Sequence, residues 1–238
     1  MEEIPDTEAT PVTETQIMTD WRQECKYTLT KPQALMIERR LRPFLTMDKH
    51  GDENGYWIHS LYFDTPFDQF YKEKLQGYLI RQKFRLRYYG EKPDFIRLEN
   101  KRKHGPHGQK RSIILSKAEA NDLLNGDIHF LSEKKEPLAK AFLMAWNSGM
   151  RPKVIVSYQR KAFVYPYGNV RITLDSNIQT SHDISCFLDE FKHFSIEDHV
   201  IMEVKYDGYF PDFLADLLNI INPHRQAYSK YAMSRYYE

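Results

Sequence analysis

The chain has 238 residues, 41% of them apolar, with 16 Tyr and 14 Phe, enough for one large domain or two small ones around a sizeable core. No apolar run approaches the ~18 residues of a membrane span, and the start, MEEIPDTEAT, lacks the basic and apolar regions of a signal peptide. Two cysteines, Cys25 and Cys186, exclude a disulfide framework, so a reducing, cytoplasmic setting is expected.

The net charge of +1 conceals an asymmetry, because residues 1–20 carry six acids and neither Lys nor Arg. Without them the chain holds 34 basic against 27 acidic residues, a net of about +7. This acidic tail is poor in large apolar groups and reads as disordered. It is either a solvated leader or an acidic arm that shields a basic site. The first strand, 22–29, follows. Thr30-Lys-Pro-Gln33 then supplies a capping box with Pro in the first turn, predicting a helix through about Arg39. Strands are predicted at 57–63, 80–89, 95–103 and 110–115 from period-two alternation and aromatic or β-branched content. Ser116-Lys-Ala-Glu119 is a second capping box, and Asn125-Gly126 stops that helix. A third helix is expected from Pro137 to Ser148. Strands 154–164, 169–175 and 200–206 complete a set of eight, and helices 211–221 and 229–237 close the chain. No repeat or linker divides residues 21–238. The expected class is α+β, one domain built on a β-barrel with helices packed outside.

Strand parity carries the chemistry, because successive side chains point to opposite faces. In 80–89, Arg81, Lys83, Arg85 and Arg87 share one face, while Phe84, Leu86 and Tyr88 share the other. Arg97, Glu99, Lys101 and Lys103 oppose Ile96 and Leu98. Arg22, Glu24 and Lys26 oppose Cys25 and Tyr27, and Lys110 and Ser112 oppose Ile113 and Leu115. Arg171, Thr173 and Asp175 oppose Val170, Ile172 and Leu174, and Glu203 and Lys205 oppose Met202, Val204 and Tyr206. The strand holding Arg160 is ambiguous, since Val154 and Val156 share its parity. One such strand is ordinarily a solvated face. Five or six together place charged faces inside a barrel, with the apolar faces buried under helices. Glu24, Glu99, Asp175 and Glu203 are too few to neutralise the cations, so the pattern calls for a polyanion. Arginine forks and lysine charges suit phosphate oxygens. A nucleic-acid duplex does not fit such a barrel, whereas a linear triphosphate or polyphosphate does. Glu203 is then a hard oxygen ligand for magnesium or manganese, beside the phosphates.

The segments ECKY (24–27), SLYFDT (60–65), RLRYYG (85–90), LENKR (98–102), GQKRS (108–112), SYQRKAF (157–163), VRITLD (170–175), IMEVKY (201–206) and YSKY (228–231) occur in the order found in the VTC domain of polyphosphate polymerases. Over residues 21–238 the chain resembles that family, within the triphosphate tunnel metalloenzyme (CYTH-like) superfamily. The resemblance implies an eight-stranded antiparallel tunnel and metal-dependent transfer of the ATP γ-phosphate to a growing polyphosphate chain. It implies catalytic roles for Arg85, Arg87, Lys101, Arg160 and Lys230. Lys26, Lys83, Lys110, Arg171 and Lys205 are phosphate-binding candidates, and Ser229 is expected to line the tunnel. Glu203 is the metal ligand, with Glu24 and Glu99 as auxiliary acids. Arg160, Ser229 and Lys230 rest mainly on the resemblance. Parity selected most of the others independently.

Two departures bear on function. Arg22 stands where the superfamily favours a second glutamate, which puts a second metal in doubt. Ala227 stands where the polymerases carry a lysine three residues before the position of Lys230. The segments that accompany eukaryotic members are absent from the sequence, so a membrane-protein partner is left open. His104 and His107 flank Gly105-Pro106 and read as a polar turn in preference to a metal pair. Three functions compete for the same tunnel: a polymerase, a tripolyphosphate or nucleoside triphosphate hydrolase, and a polyphosphate-binding module without turnover.

Overall fold

The computed structural model describes residues 22–48, 51–105, 107–189, 194–219 and 224–236. The acidic tail expected at 1–20 lies outside these, as does the side chain of Arg22. Elements run β1 (Arg22–Leu29), α1 (Lys31–Leu41), β2 (Thr46–Met47), β3 (Tyr56–Asp64), α2 (Gln69–Leu75), β4 (Ile80–Tyr89), β5 (Ile96–His104), β6 (His107–Leu115) and α3 (Lys117–Leu124). They continue as α4 (Phe130–Glu133), α5 (Pro137–Asn147), β7 (Arg151–Tyr165), β8 (Val170–Ser181), β9 (Phe194–Glu197), β10 (Val200–Asp207), α6 (Asp212–Asn219), β11 (His224–Arg225) and α7 (Lys230–Tyr236).

Local chemistry explains the helix starts. Thr30 and Gln33 exchange both bonds of a capping box ahead of α1, and Ser116 and Glu119 do the same ahead of α3. Beyond α3, Gly126 takes φ +92°, a conformation that ends helices at low steric cost. No cap or periodicity in the sequence marks α2. Its organiser is Asp64, which is fully buried and accepts the N–H groups of Thr65, Phe70 and Tyr71.

All eight predicted strands form, and β2, β9 and β11 are added. They make one antiparallel sheet in the order β11-β1-β10-β8-β7-β3-β4-β5-β6, with β2 and β9 attached to β7 and β8. The expected closed barrel is not observed, because among the described residues no ladder joins β6 to β1. The free edge of β1 is already occupied. Tyr27 and Thr28 pair with β11, and the Gln226 N–H donates to the Lys26 carbonyl at 3.0 Å. The sheet curls instead, and side chains bridge the gap, with Lys101 of β5 3.5 Å from Glu24 of β1.

Helices cover the convex face as expected. Leu61, Phe84, Leu86, Leu98 and Ile113 pack under α3 and α5 around Phe142, while Ile172, Leu174, Met202 and Val204 pack with Ile37, Leu41 and Leu214 of α1 and α6. α7 is the exception to helices lying outside. It sits on the concave face, where Tyr228 and Tyr231 pack against Ile58, Tyr62, Val154, Val156, Ile178 and Ile201. This settles the parity of β7. Val154 and Val156 do share the face of Arg160, and they are apolar because α7 covers them. A bulge in β8, with Asn177 at φ +50°, turns Ile178 to the same face as Asp175.

Candidate functional site: a basic cleft on the concave sheet face

The concave face encloses a cavity of about 660 Å³. Twelve cationic side chains line it against two carboxylates, Glu24 and Glu203. β4 supplies Arg81, Lys83, Arg85 and Arg87, and β5 supplies Lys101 and Lys103. Opposite stand Arg160 and Tyr158 of β7, Glu203 and Lys205 of β10, Glu24 and Lys26 of β1, and Lys230 at the start of α7.

On the β7–β8–β10–β1 side every cation has a carboxylate. Arg160 makes a two-pronged contact with Asp175 at 2.6 and 2.7 Å, and Lys230 reaches the same carboxylate at 2.5 Å. Glu203 receives Lys205 at 2.9 Å and Lys26 at 3.1 Å, with Lys230 at 3.5 Å. Lys26 also reaches Glu24 at 3.3 Å. Burial alone raises the pKa of a carboxylate, but here the lysines and Arg160 outweigh it and hold Glu203 well below the usual range. Burial likewise works against ionisation of Glu24, yet Lys101, Lys205 and Lys26 bring it down to about 2. The Tyr158 ring lies 4.6 Å from the Lys230 ammonium and 5.3 Å from the Arg160 guanidinium, adding cation–π contacts.

The β4–β5 side is built differently. Arg85 and Lys110 converge on Glu99 at 2.6 and 2.5 Å. Arg87, buried, finds only hydroxyls: Ser60 Oγ at 3.0 Å and Tyr158 OH at 3.3 Å. Lys83 donates to Ser229 Oγ at 3.1 Å and lies 5.0 Å from the Tyr231 ring. Neither Lys83 nor Arg87 pairs with a carboxylate among the described residues. Burial, then the nearby Lys74, Lys26 and Lys101, push Lys83 well below the ordinary lysine value. Burial also dominates at Lys101, where Glu24 opposes the shift and Lys205, Lys103 and Lys26 add to it, leaving a pKa of about 8.

The residues expected from sequence fall into three groups. Lys26, Lys83, Arg85, Arg87, Lys101, Arg160, Lys205, Lys230, Glu24 and Glu203 line this cavity. Glu99 and Ser229 stand one contact away, through Arg85 and Lys83, and Lys110 lies behind Glu99. Arg171 does not reach it, since its guanidinium is held by Asp48 at 2.5 Å and by Tyr56 OH at 3.3 Å. Tyr62, Lys74 and Tyr158 line the cavity without having been singled out, and Arg225, a candidate substitute for the lysine replaced by Ala227, lines it too. Tyr158 had a readable signal, the parity of Arg160. Lys74 had none, being on a helix that the sequence pattern did not show.

A family model described as the VTC domain matches residues 21–237. The chain belongs to the VTC domain family. No curated protein matches it. Among solved structures, the VTC domain here resembles HpAC1 from Hippeastrum, assigned as an adenylyl cyclase and found to be dominantly a triphosphatase. The two are 14% identical over 90% of this chain and 95% of that one, with a TM-score of 0.57. A protein from Bacillus halodurans assigned as an adenylate cyclase is 18% identical over 84% of this chain and 88% of that one, with a TM-score of 0.50. At these identities the likeness is one of fold alone. No helix among the described residues of this VTC domain is long and apolar enough to cross a membrane.

Proposed function

We propose that the protein is a metal-dependent phosphoryltransferase that moves the ATP γ-phosphate onto a polyphosphate chain held in the basic cleft. The observation that carries this reading is the uneven compensation of charge. Arg87 and Lys83 line a cleft whose lining carboxylates among the described residues, Glu24 and Glu203, are already shared among Lys26, Lys101, Lys205 and Lys230. A linear phosphate chain supplies the missing negative charge in a shape that a curled sheet accommodates.

A divalent ion fits the donor set in a limited way. Glu203 and Glu24 flank Lys26 at 3.1 and 3.3 Å, and among the described residues no group of three or more His, Cys, Asp or Glu could chelate a metal. Magnesium and manganese are commonly held by one or two carboxylates plus substrate phosphates, so Glu203, with Glu24 beside it, would hold such an ion once phosphate is bound. The ion would supply charge neutralisation at the phosphate oxygens. The protein's own side chains do the rest. Arg85 and Arg87 clamp phosphate oxygens with the fork geometry of guanidinium, while Arg160 and Lys230 are held in place by Asp175. A terminal oxygen of the chain forms the new bond to the γ-phosphorus as the bond to the β–γ bridging oxygen breaks and ADP leaves. No protein nucleophile is needed, and catalysis consists of positioning and charge stabilisation.

A second reading keeps the cleft and lets water attack, giving a triphosphatase. Ala227, exposed at the cleft where the resemblance implies a lysine, favours it, as does the fold shared with HpAC1. Incubation with manganese and γ-labelled ATP, with products sized on a gel, separates the two. Label in a long polymer is the expected result. Free phosphate alone supports the hydrolase, and turnover unaffected by Arg87→Ala or Glu203→Ala removes the cleft from the chemistry.

A further inference from the structure

One end of the sheet carries an apolar tip that the cleft chemistry does not use. Residues 75–80 are all exposed, and four of them are large apolar groups: Leu75 at 61%, Tyr78 at 54%, Leu79 at 64% and Ile80 at 54%. Solvated loops rarely present such a run, and clustered exposed apolar groups mark an interaction surface. The tip is anchored, because the Leu79 carbonyl accepts the Gly105 N–H at 2.8 Å and Ile80 pairs with His104. It therefore projects together with the β5–β6 turn.

The exposed charge flanking it is of one sign, while the adjacent Glu73 is buried and accepts the Gln82 N–H at 3.3 Å. Lys74 and Arg81 flank the run in sequence, and Lys103 pairs with Arg81 across the ladder. Arg102 is exposed on the convex side. Residues 74–90 and 100–118 contain no Asp or Glu. An apolar tip rimmed by cations, with its neighbouring acid Glu73 buried, has the chemistry of an interfacial membrane contact, in which apolar side chains enter the headgroup boundary and basic ones meet anionic lipid. We propose that the 75–80 tip, with the β5–β6 turn beside it, docks on an anionic bilayer surface.

Sedimentation of the full chain with vesicles tests this without reference to turnover. Binding is expected with phosphatidylcholine–phosphatidylserine vesicles, weakening as salt rises, and not with phosphatidylcholine alone. The double variant Tyr78→Ser, Leu79→Asp is expected to lower that binding about tenfold, since affinity scales with buried apolar area. Arg102→Glu, outside the cleft, lowers it as well. These exposed positions leave the melting temperature unchanged, which checks folding. Arg87→Ala is expected to bind vesicles as the parent does. The proposal is overturned by no association with phosphatidylserine vesicles, by association that survives the double variant, or by association lost in Arg87→Ala, which assigns the headgroups to the cleft. A wild-type dimer that the double variant dissociates, with vesicle binding unchanged, assigns the tip to contact between copies and also overturns it.

Discussion

The two walls of the cleft carry the same kinds of cation but pair them with carboxylates to different extents. On the wall of β1, β7, β8 and β10, Asp175 and Glu203 gather Arg160, Lys230, Lys205 and Lys26 into a continuous network at 2.5–3.5 Å. On the β4–β5 wall, Arg87 and Lys83 rest on hydroxyls. A buried charge without its partner is costly, so the first wall is a pre-assembled scaffold, and under the proposed function a bound phosphate chain completes the second. Stability and substrate binding should therefore respond to mutation on different walls.

The largest effect should come from breaking the scaffold. Asp175→Asn leaves Arg160 and Lys230 buried with a neutral amide and is expected to cost about 3–5 kcal/mol, seen in denaturant melts. An unchanged midpoint would dissolve the distinction between the walls. Arg87→Ala strikes the other wall. It is expected to lower turnover by about 10²–10³-fold, as loss of one preorganised charge donor does, with a much smaller change in melting temperature than Asp175→Asn. Next comes Tyr231→Phe, which removes the hydroxyl that donates to buried Asp64 and ties α7 to the start of α2. A loss of about 1.5–3 kcal/mol is expected for a hydrogen bond to a charged group.

Lys101 offers a finer test. Its folded pKa of about 8 lies below the ordinary 10.5, so the unfolded chain binds the extra proton and this group's contribution to stability improves as pH rises from about 8 toward 10.5. A bound phosphate favours the charged form, so tripolyphosphate binding near pH 8–9 should take up protons. That appears as a buffer-dependent binding enthalpy, diminished in Lys101→Arg. The smallest effect is expected from Ala227→Lys. An exposed charge contact is worth at most about fivefold, read as longer polymer or tighter polyphosphate binding.

Much of this contrast was legible before any coordinates. Period-two parity assigned Arg81, Lys83, Arg85 and Arg87 to one face, and the structure has all four on the cleft. The capping boxes at Thr30 and Ser116 marked two helix starts correctly. Parity cannot see the path of a sheet, however. The expected closed barrel failed because β11 and Gln226 occupy the edge that closure needs, and a two-residue strand has no periodicity to read. α7 was expected outside because its apolar stripe does not say which face of the sheet it covers. Arg171 has the parity of a cleft residue, but Asp48, in a segment without strand or helix signal, turns its guanidinium away. Pairings of that kind depend on contacts 123 residues apart in sequence, which local patterns do not encode.

In the proposed function the β4–β5 wall takes up a linear phosphate chain. Calorimetric titration of the protein with tripolyphosphate, in the parent and in Arg87→Ala, tests it most directly. Saturable binding that falls steeply with salt and is lost in Arg87→Ala, while the variant keeps its fold, is the predicted result. Binding of equal strength in both, or none in the parent, would contradict it.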